Sequence, residues 1–209
     1  MIPLAVLIPV KSSGAKSRLS PVLSRAERRE LETLLLSGVL RAVKGAGLQA
    51  AAHVVSSDPG ILQLAARWGA GTVREARDQG VNAAVEAGVR ALGRPEKVLV
   101  IPSDLPLLRP SLLKGVLFLG GLLQVVIAPS ASFNGTNALL FRPSDGLALS
   151  YDNDSFWNHI RASGEKCLSV GVVSKPGLTF DLDTPADLRS LASFRLYSPA
   201  VDFARRRTR

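Results

Sequence analysis

The sequence predicts an α/β fold in which helices cover a mostly parallel β-sheet. Short apolar runs alternate with longer amphipathic runs along most of the chain. This alternation is typical of parallel strands joined by helices, because parallel neighbours need a long crossover connection. The length of 209 residues fits one domain that can bury an apolar core without further staples. We therefore assign residues 1–197 to a single domain.

The predicted strands and helices alternate strictly up to residue 128. Apolar runs predict strands at residues 4–10, 50–55, 71–75, 97–101 and 124–128. Apolar residues at helical spacing predict helices at residues 26–44, 59–68, 81–92 and 111–119. Beyond Pro129 the pattern changes, with strands predicted at 137–141, 168–173 and 178–182 and helices at 155–162 and 185–194. These segments predict a strand-rich insertion at about residues 129–176 on the α/β core.

Composition excludes several classes of protein. The single cysteine, Cys167, allows no intramolecular disulfide and no cysteine-cluster metal site. A reducing cytoplasm is the expected compartment. The apolar start of the chain is interrupted by Pro3 and Pro9, so it is interpreted as a buried strand and not as a signal peptide. No apolar run approaches the ~20 residues of a membrane span, and no membrane segment is expected.

The formal net charge of +9 has three interpretations. Nucleic-acid binding is the first, because basic patches attract phosphate backbones. A solvated surface with a frayed basic tail at residues 198–209 is the second, and it is favoured because no nucleic-acid motif accompanies the charge. In the third interpretation, part of the charge serves an anionic small substrate.

The loop that follows the first predicted strand is a candidate phosphate site. It carries Lys11, Lys16 and Arg18 within a short stretch of small residues. Ligands in open α/β sheets bind beyond the carboxyl ends of strands, and lysine, arginine and backbone amides together can hold a polyphosphate. The loop lacks the residue order of a P-loop, and an ordinary solvated loop is the alternative.

Three aspartates are candidate metal ligands. Asp104 closes a buried strand and lies too far before the next predicted helix to be a simple cap. Asp181 and Asp183 are two residues apart in a segment predicted as extended, so their carboxylates face the same side. Such oxygens suit a hard cation such as Mg²⁺. The neighbouring Thr184 and Asp187 have the spacing of a capping box and are assigned to structure.

Two further motifs are candidate substrate sites. Gly80 and Asn82 stand at the start of a predicted helix, where glycine permits close approach and asparagine can read the edge of a base; polar helix caps are the alternative. Thr136 and Ser155, with amides at a helix start, can hold an acidic substrate. His159 is expected to be a packed or surface histidine and not a catalyst.

Seven motifs occur in a recognisable order: IPVK, KSRLSP, DQGVN, IPSDLPLL, APS with NGTNALL, SFWNHI and LTFDLDTPADL. In this order they resemble the 2-phospho-L-lactate guanylyltransferase family, which builds the deazaflavin coenzyme factor 420. The resemblance runs from about residue 8 to residue 188. It implies a three-layer α/β/α nucleotidyltransferase fold of the GT-A-like type, shared with molybdenum-cofactor guanylyltransferases and related to nucleotide-sugar enzymes.

The resemblance implies a magnesium-dependent reaction with GTP. A phosphate oxygen of 2-phospho-L-lactate attacks the α-phosphorus of GTP, and pyrophosphate leaves; some relatives use phosphoenolpyruvate or 3-phosphoglycerate. The acids that match the magnesium-binding positions are Asp104, Asp181 and Asp183. The residues expected to meet the GTP phosphates are Lys11, Lys16 and Arg18, with Gly80 and Asn82 near guanine and Thr136 and Ser155 at the acceptor.

One position departs from the family pattern. Relatives carry a glycine-rich turn before the Ser-Phe pair, whereas here Asp152 stands where a glycine is expected. A carboxylate beside an anionic acceptor repels it unless the side chain points away or binds metal. The identity of the acceptor is therefore left open by the sequence.

Two other functions are kept as alternatives. One is a different transferase of the same fold, such as a molybdenum-cofactor guanylyltransferase, although the glycine-rich opening of that group is missing. The other is a basic nucleic-acid-binding protein, which charge alone supports. A homodimer is compatible with the sequence, which does not fix the oligomeric state.

Overall fold

The computed structural model describes residues 2–11 and 16–208. Its centre is a single sheet of seven strands in the order β3-β2-β1-β4-β6-β5-β7. The strands are β1 (Leu4–Pro9), β2 (Ala52–Ser56), β3 (Gly71–Arg74), β4 (Lys97–Val100), β5 (Val125–Pro129), β6 (Thr136–Phe141) and β7 (Val170–Val172). Only β6 runs antiparallel to its neighbours, and the other adjacent strands pair in parallel. The predicted mostly parallel α/β fold is confirmed.

Eight α-helices lie within the described residues. They are α1 (Arg25–Gly45), α2 (Pro59–Arg67), α3 (Val81–Ala91), α4 (Pro110–Leu119), α5 (Ser155–Glu165), α6 (Pro176–Thr179), α7 (Pro185–Ser193) and α8 (Pro199–Arg207). Local signals set several of their starts: Ser24 and Glu27 form a capping box on α1, and Asp58 caps α2 just before a proline at its first position. None of these helices combines the length and apolar character needed to cross a membrane.

Helices cover both faces of the sheet and give three layers. On one face α1, α2 and α4 bury residues such as Leu36, Ile61 and Leu113 against the strands. On the other face α3 and α5 bury Val85 and Phe156. Since both faces are covered, the central strands are apolar on both sides, which explains why they occur in the sequence as continuous apolar runs.

The segment that carries Asp181 and Asp183 differs from the prediction. Residues 178–182 were expected to form a strand, but the chain makes the short helix α6 and then an irregular stretch. Gly177 packs so closely that a Cβ there would lie 2.6 Å from the carbonyl oxygen of Leu107. The alternation of apolar residues in this segment reflects two separate contacts, because Leu178 and Leu182 are buried in different apolar clusters.

The region predicted as an insertion completes the sheet instead. Strand β6 lies between β4 and β5, and β7 pairs with β5 at the edge. All six residues of β6 are buried, which is expected for a strand covered by helices on both faces. Because β6 is antiparallel to β4, it begins at the edge of the sheet where β1 and β4 end.

The basic tail predicted at residues 198–209 contains a packed helix. In α8, Val201 and Phe203 are fully buried against α1 and α7. Two of its arginines face acids on α1: Arg206 lies 3.8 Å from Glu30, and Arg207 Nε lies 2.9 Å from an oxygen of Glu27. The difference arises because the arginines mask an amphipathic pattern, in which small and apolar residues alternate with the charges at helical spacing.

Candidate active site

A cleft of about 390 Å³ opens at the carboxyl ends of β1 and β4. Its charged lining comes from distant parts of the chain: Lys11, Lys16, Arg18, Glu32, Asp104 and Asp183. Parallel strands direct their following loops to one edge of the sheet, so residues separated by many positions meet there. The volume lies in the range of small-molecule sites. Residues 12–15 of the predicted phosphate loop lie outside the described residues.

Lys16 lies at the centre of this cleft. Its ammonium nitrogen Nζ is 2.9 Å from Asp104 Oδ2 and 2.8 Å from Asp183 Oδ1. The Lys16 side chain is only 11% exposed. Burial works to lower the pKa of Lys16, but the two carboxylates outweigh it and the net shift is upward. Lys16 is therefore a permanent cation held between two acids.

One carboxylate oxygen of Asp104 has no partner among the described residues. Its Oδ2 accepts from Lys16, whereas Oδ1 is buried and has no hydrogen-bond partner among residues 2–11 and 16–208. The backbone carbonyl of Asp104 accepts a hydrogen bond of 3.1 Å from the Leu182 amide, which joins the two acidic segments. A buried anionic oxygen without a donor is costly, and it is the arrangement expected of a ligand atom that a cation completes.

Asp181 and Asp183 meet Asp104 at this edge. Burial, together with the charges of Asp104 and Asp183, raises the pKa of Asp181, while a 3.0 Å hydrogen bond from Asn137 opposes the rise. For Asp183, burial works to raise the pKa, but Lys16 outweighs it and the pKa is lowered. The three carboxylates thus lie within electrostatic range of each other, and the buried ammonium of Lys16 pairs with two of them, Asp104 and Asp183.

The three acids do not form a ready metal cage. In the part of the chain that the structure describes, no group of three histidine, cysteine, aspartate or glutamate side chains is arranged to hold a metal ion. The ammonium of Lys16 lies between Asp104 and Asp183, and Asp181 is bound to Asn137. The ligand role of the three aspartates therefore stays a prediction.

The predicted capping box of α7 is confirmed, and it also holds Asp183. Thr184 Oγ1 accepts from the Asp187 amide, and Asp187 Oδ2 accepts from the Thr184 amide at 2.7 Å. The same Asp187 oxygen accepts from the Asp183 amide at 3.1 Å. The helix start thereby fixes the backbone from which the Asp183 carboxylate reaches the cleft.

The predicted base-reading residues Gly80 and Asn82 lie at the start of α3, and their role in binding guanine stays a prediction. Gly80, with φ of 90°, begins α3 and lines a small hollow beside the cleft. Asn82 is bound elsewhere: its Oδ1 accepts from the Tyr151 amide at 2.8 Å, and its Nδ2 donates to Asp152 Oδ2 at 3.3 Å. Asn82 therefore fastens the loop before α5 to the start of α3.

The predicted acceptor residues Thr136 and Ser155 meet in a buried polar cluster. Ser155 Oγ donates to Thr136 Oγ1 at 3.2 Å. His159, fully buried one turn further along α5, places Nδ1 3.0 Å from the same Thr136 oxygen. Its Nε2 accepts from the Ser150 amide at 3.1 Å. Burial lowers the pKa of His159 to about 4, against an opposing hydrogen bond to the Ser155 backbone, so the ring is neutral at pH 7.

The first two residues of β6 contact two different parts of the site, the polar cluster around Ser155 and the acidic cluster around Asp181. Thr136 belongs to the polar cluster with Ser155, and Asn137 binds Asp181. Successive residues of a strand point to opposite faces, so one strand start supplies both contacts. The exposed Asp152, which replaces an expected glycine, is bound to Asn82.

Sequence reasoning missed Glu32. This residue of α1 lines the cleft, and burial, with Asp58 adding to it, raises its pKa to about 7. A signal was present in the sequence, because position 32 continues the buried stripe of Leu36 and Val39 at helical spacing. A carboxylate on a core-facing stripe indicates a site and not a solvated surface.

Comparisons with known proteins identify the family of the chain. The family model described as "Guanylyl transferase CofC like" matches residues 4–195. A phosphoenolpyruvate guanylyltransferase of Rubrobacter xylanophilus is 40% identical over 88% of this chain and 91% of its own length. A 2-phospho-L-lactate guanylyltransferase of Methanocaldococcus vulcanius is 32% identical over 88% of this chain and 81% of its own length. A 3-phospho-D-glycerate guanylyltransferase of Phenylobacterium zucineum is 33% identical over 90% of this chain and 88% of its own length.

The fold is also similar to that of a solved structure. A crystal structure from Desulfovibrio desulfuricans G20, described as a nucleotide-diphospho-sugar transferase, superposes with a TM-score of 0.75. The match covers 99% of this chain and 95% of the other, at 18% identity. At this identity the similarity concerns the fold alone.

Proposed function

The chain belongs to the family of CofC-like guanylyl transferases, and we propose that it moves GMP from GTP to a small phosphorylated carboxylic acid. Pyrophosphate is the other product. The observation that supports this most is the cleft at the carboxyl ends of β1 and β4, where Lys16 lies between Asp104 and Asp183. The reaction would serve biosynthesis of the deazaflavin coenzyme factor 420.

The attack itself needs little from the protein beyond alignment. The nucleophile is a phosphate oxygen that is already anionic, so no general base is required. Transfer of this kind depends on positioning and on balancing of charge. Lys11, Lys16 and Arg18 provide the positive charge of the cleft, and they are proposed to bind the phosphates of GTP.

Magnesium is the proposed metal, and the acids present fit it. Lys16 balances Asp104 and Asp183 only, the pKa of Asp181 is raised, and Asp104 Oδ1 has no partner among the described residues. We propose that Asp104, Asp181 and Asp183 hold the ion. When bound, Mg²⁺ supplies charge neutralisation for the phosphate oxygens and the leaving pyrophosphate. Lys16 would be placed to donate to a phosphate oxygen of GTP.

The acceptor acid is proposed to bind at Thr136 and Ser155, next to the start of α5. Relatives at 32–40% identity use three different acids, and phosphoenolpyruvate is the first to test because its relative has 40% identity. In the structure Asp152 is exposed and engaged with Asn82. A carboxylate held in this way repels a nearby anion less than one that points into the site.

The test is pyrophosphate release by the purified chain with GTP and Mg²⁺. Three acids are tested separately: phosphoenolpyruvate, 2-phospho-L-lactate and 3-phosphoglycerate. The mass of each product is determined by mass spectrometry. The expected result is release with at least one acid, and a product that carries GMP joined to that acid. No release with any of the three, or release without such a product, contradicts the proposal.

A further inference from the structure

We propose that His159 is a positioning residue that makes the Thr136 hydroxyl an obligate hydrogen-bond donor toward the acceptor acid. The inference rests on the proposed function, because it concerns the subsite of that acid. It gives a role to a buried histidine that the reaction itself does not use. Its basis is a chain of three hydrogen bonds among Ser150, His159, Thr136 and Ser155.

The first step fixes the tautomer of the histidine ring. A backbone amide can only donate, so the 3.1 Å contact between the Ser150 amide and Nε2 makes Nε2 an acceptor. A neutral imidazole with an acceptor at Nε2 carries its proton on Nδ1. His159 is fully buried, and desolvation favours the neutral ring. The Nδ1–H group therefore donates to Thr136 Oγ1 at 3.0 Å.

The Thr136 hydroxyl oxygen already accepts two hydrogen bonds. A hydroxyl oxygen has two acceptor positions and one proton. One position receives the hydrogen bond from His159, and the other receives that from Ser155 at 3.2 Å. With both positions filled, Thr136 has only its proton left to offer. None of the residues in the described ranges accepts that proton in a hydrogen bond with Thr136.

The third step identifies the matching ligand group. A hydroxyl that can only donate favours an oxygen without protons, such as a carboxylate, over a group that must itself donate. The phosphate of the acceptor has to reach the α-phosphorus of GTP beside the acidic cluster. The carboxylate of the acceptor acid is therefore the anionic group that can accept the hydrogen bond from Thr136. His159 thereby contributes to selection of acids without touching them.

Steady-state kinetics of four variants test the role. His159→Leu removes both hydrogen bonds, and we expect the KM for the acid to rise about tenfold, as for one lost hydrogen bond to a charged group. The kcat and the KM for GTP should stay within about twofold on the same reasoning. His159→Asn, whose amide nitrogen can replace Nδ1–H, should recover most of the loss. In a Thr136→Val background, His159→Leu should add little, because the residue it acts through is gone.

A matched control uses the other histidine. His53 lies in β2 with its Nδ1 3.0 Å from the Ala51 carbonyl oxygen, away from the acceptor subsite. His53→Asn should leave the KM for the acid unchanged. If folded His159→Leu keeps the KM of the parent protein, or raises it equally in the Thr136→Val background, His159 is a packing residue and the proposal is wrong.

The tautomer can be measured without turnover. The chain has two histidines, so ¹⁵N-labelled protein and its His53→Asn variant assign the His159 ring nitrogens by NMR. A neutral ring protonated at Nδ1 at pH 7 is the expected result. An Nε2-protonated ring or an imidazolium would overturn the inference, even if the protein released no pyrophosphate and the proposed function had failed on its own test.

Discussion

Lys16 is the residue on which the electrostatics of the cleft depend. Its ammonium balances Asp104 and Asp183 at 2.9 Å and 2.8 Å. Removal of one partner from a buried ion pair leaves the remaining charges uncompensated, which costs more than the pair contributes. A divalent cation at the same acids would take over this balance. If these acids bind Mg²⁺ as proposed, Lys16 and the ion would compete for the same carboxylates.

Lys16→Met should make this competition visible. Without the ammonium, we expect a lower Tm at pH 7.5 in metal-free buffer and a larger rise in Tm on addition of Mg²⁺ than in the parent protein, because binding to the folded state stabilises it. Differential scanning fluorimetry measures both. Arg18→Met is the control, since Arg18 is 75% exposed and 4.0 Å from Asp183. An equal Mg²⁺ shift in parent and Lys16→Met would contradict the assignment.

Glu32 gives the cleft a pH dependence of stability. Its pKa is raised from an ordinary 4.5 to about 7 by burial, with Asp58 adding to the shift. The folded state therefore binds the proton more tightly than the unfolded state. The stabilising effect is fully present below pH 4.5 and is lost as pH rises through about 7.

Glu32→Gln should remove the loss of folding stability that ionisation of Glu32 causes at high pH. We expect its Tm to equal that of the parent protein near pH 4.5 and to exceed it by about 2–4 °C at pH 8, the shift that ~1 kcal/mol gives in a chain of this size. Glu86→Gln, on the exposed side of α3 next to Arg90, is the control and should have little effect. A difference in Tm that is constant across the pH range would show that ionisation of Glu32 is not its cause.

Among single residues, the sequence predicted those whose signal is local. Asp104 could be found because a carboxylate at the end of an apolar strand is unusual, and the Thr184–Asp187 capping box follows from spacing alone. The place of Lys16 could not be found, because its partners are 88 and 167 positions away in the chain. Such contacts depend on which loops share one edge of the sheet.

At the scale of elements, Asn82 connects the start of α3 with the loop before α5. Its side chain binds the Tyr151 amide and the Asp152 carboxylate, 69 and 70 positions away. The sequence suggested that Asn82 reads guanine, since an asparagine at the start of a helix fits that role as well as a capping role. In the structure both ends of the Asn82 amide are bound to the loop before α5.

Asn82→Leu separates these two roles. If Asn82 supports the acceptor loop, the KM for the acid should rise about tenfold while the preference for GTP over ATP stays unchanged, because the loop amide loses its acceptor. Asn82→Asp keeps an oxygen for the Tyr151 amide but faces Asp152 with a like charge, so an intermediate effect is expected. A variant with relaxed nucleotide preference and a normal KM for the acid would favour the guanine-reading role.

Elements were predicted well where helical or apolar periodicity was clear. The strands and helices up to residue 128 agree with the structure to within a few residues. Residues 178–182 were predicted wrongly as a strand, because alternating apolar residues that pack into two separate clusters imitate the pattern of a strand. Helix α8 was not predicted, because the run of arginines in it indicated a solvated tail although apolar residues occur at helical spacing.

At the scale of the whole molecule, the antiparallel strand β6 joins the two halves of the site. It starts where β1 and β4 end, so Thr136 and Asn137 lie at the edge that also carries the acidic cluster. Topology of this kind cannot be derived from local patterns, which is why residues 129–176 were interpreted as an insertion. The arrangement places the proposed acceptor residues at the same edge of the sheet as the acidic cluster, and transfer between two bound substrates requires such proximity.

The measurement that tests this account most directly is pyrophosphate release by Asp183→Asn, compared with the parent protein and with Asp202→Asn on α8. With GTP, Mg²⁺ and the preferred acid, we expect release by the parent protein and by Asp202→Asn. For Asp183→Asn we expect a fall of at least ~100-fold, as for loss of a metal or charge-stabilising group, with the Tm largely kept. Near-normal release by a folded Asp183→Asn variant would contradict the claim that the acidic cluster in the cleft is the centre of the reaction.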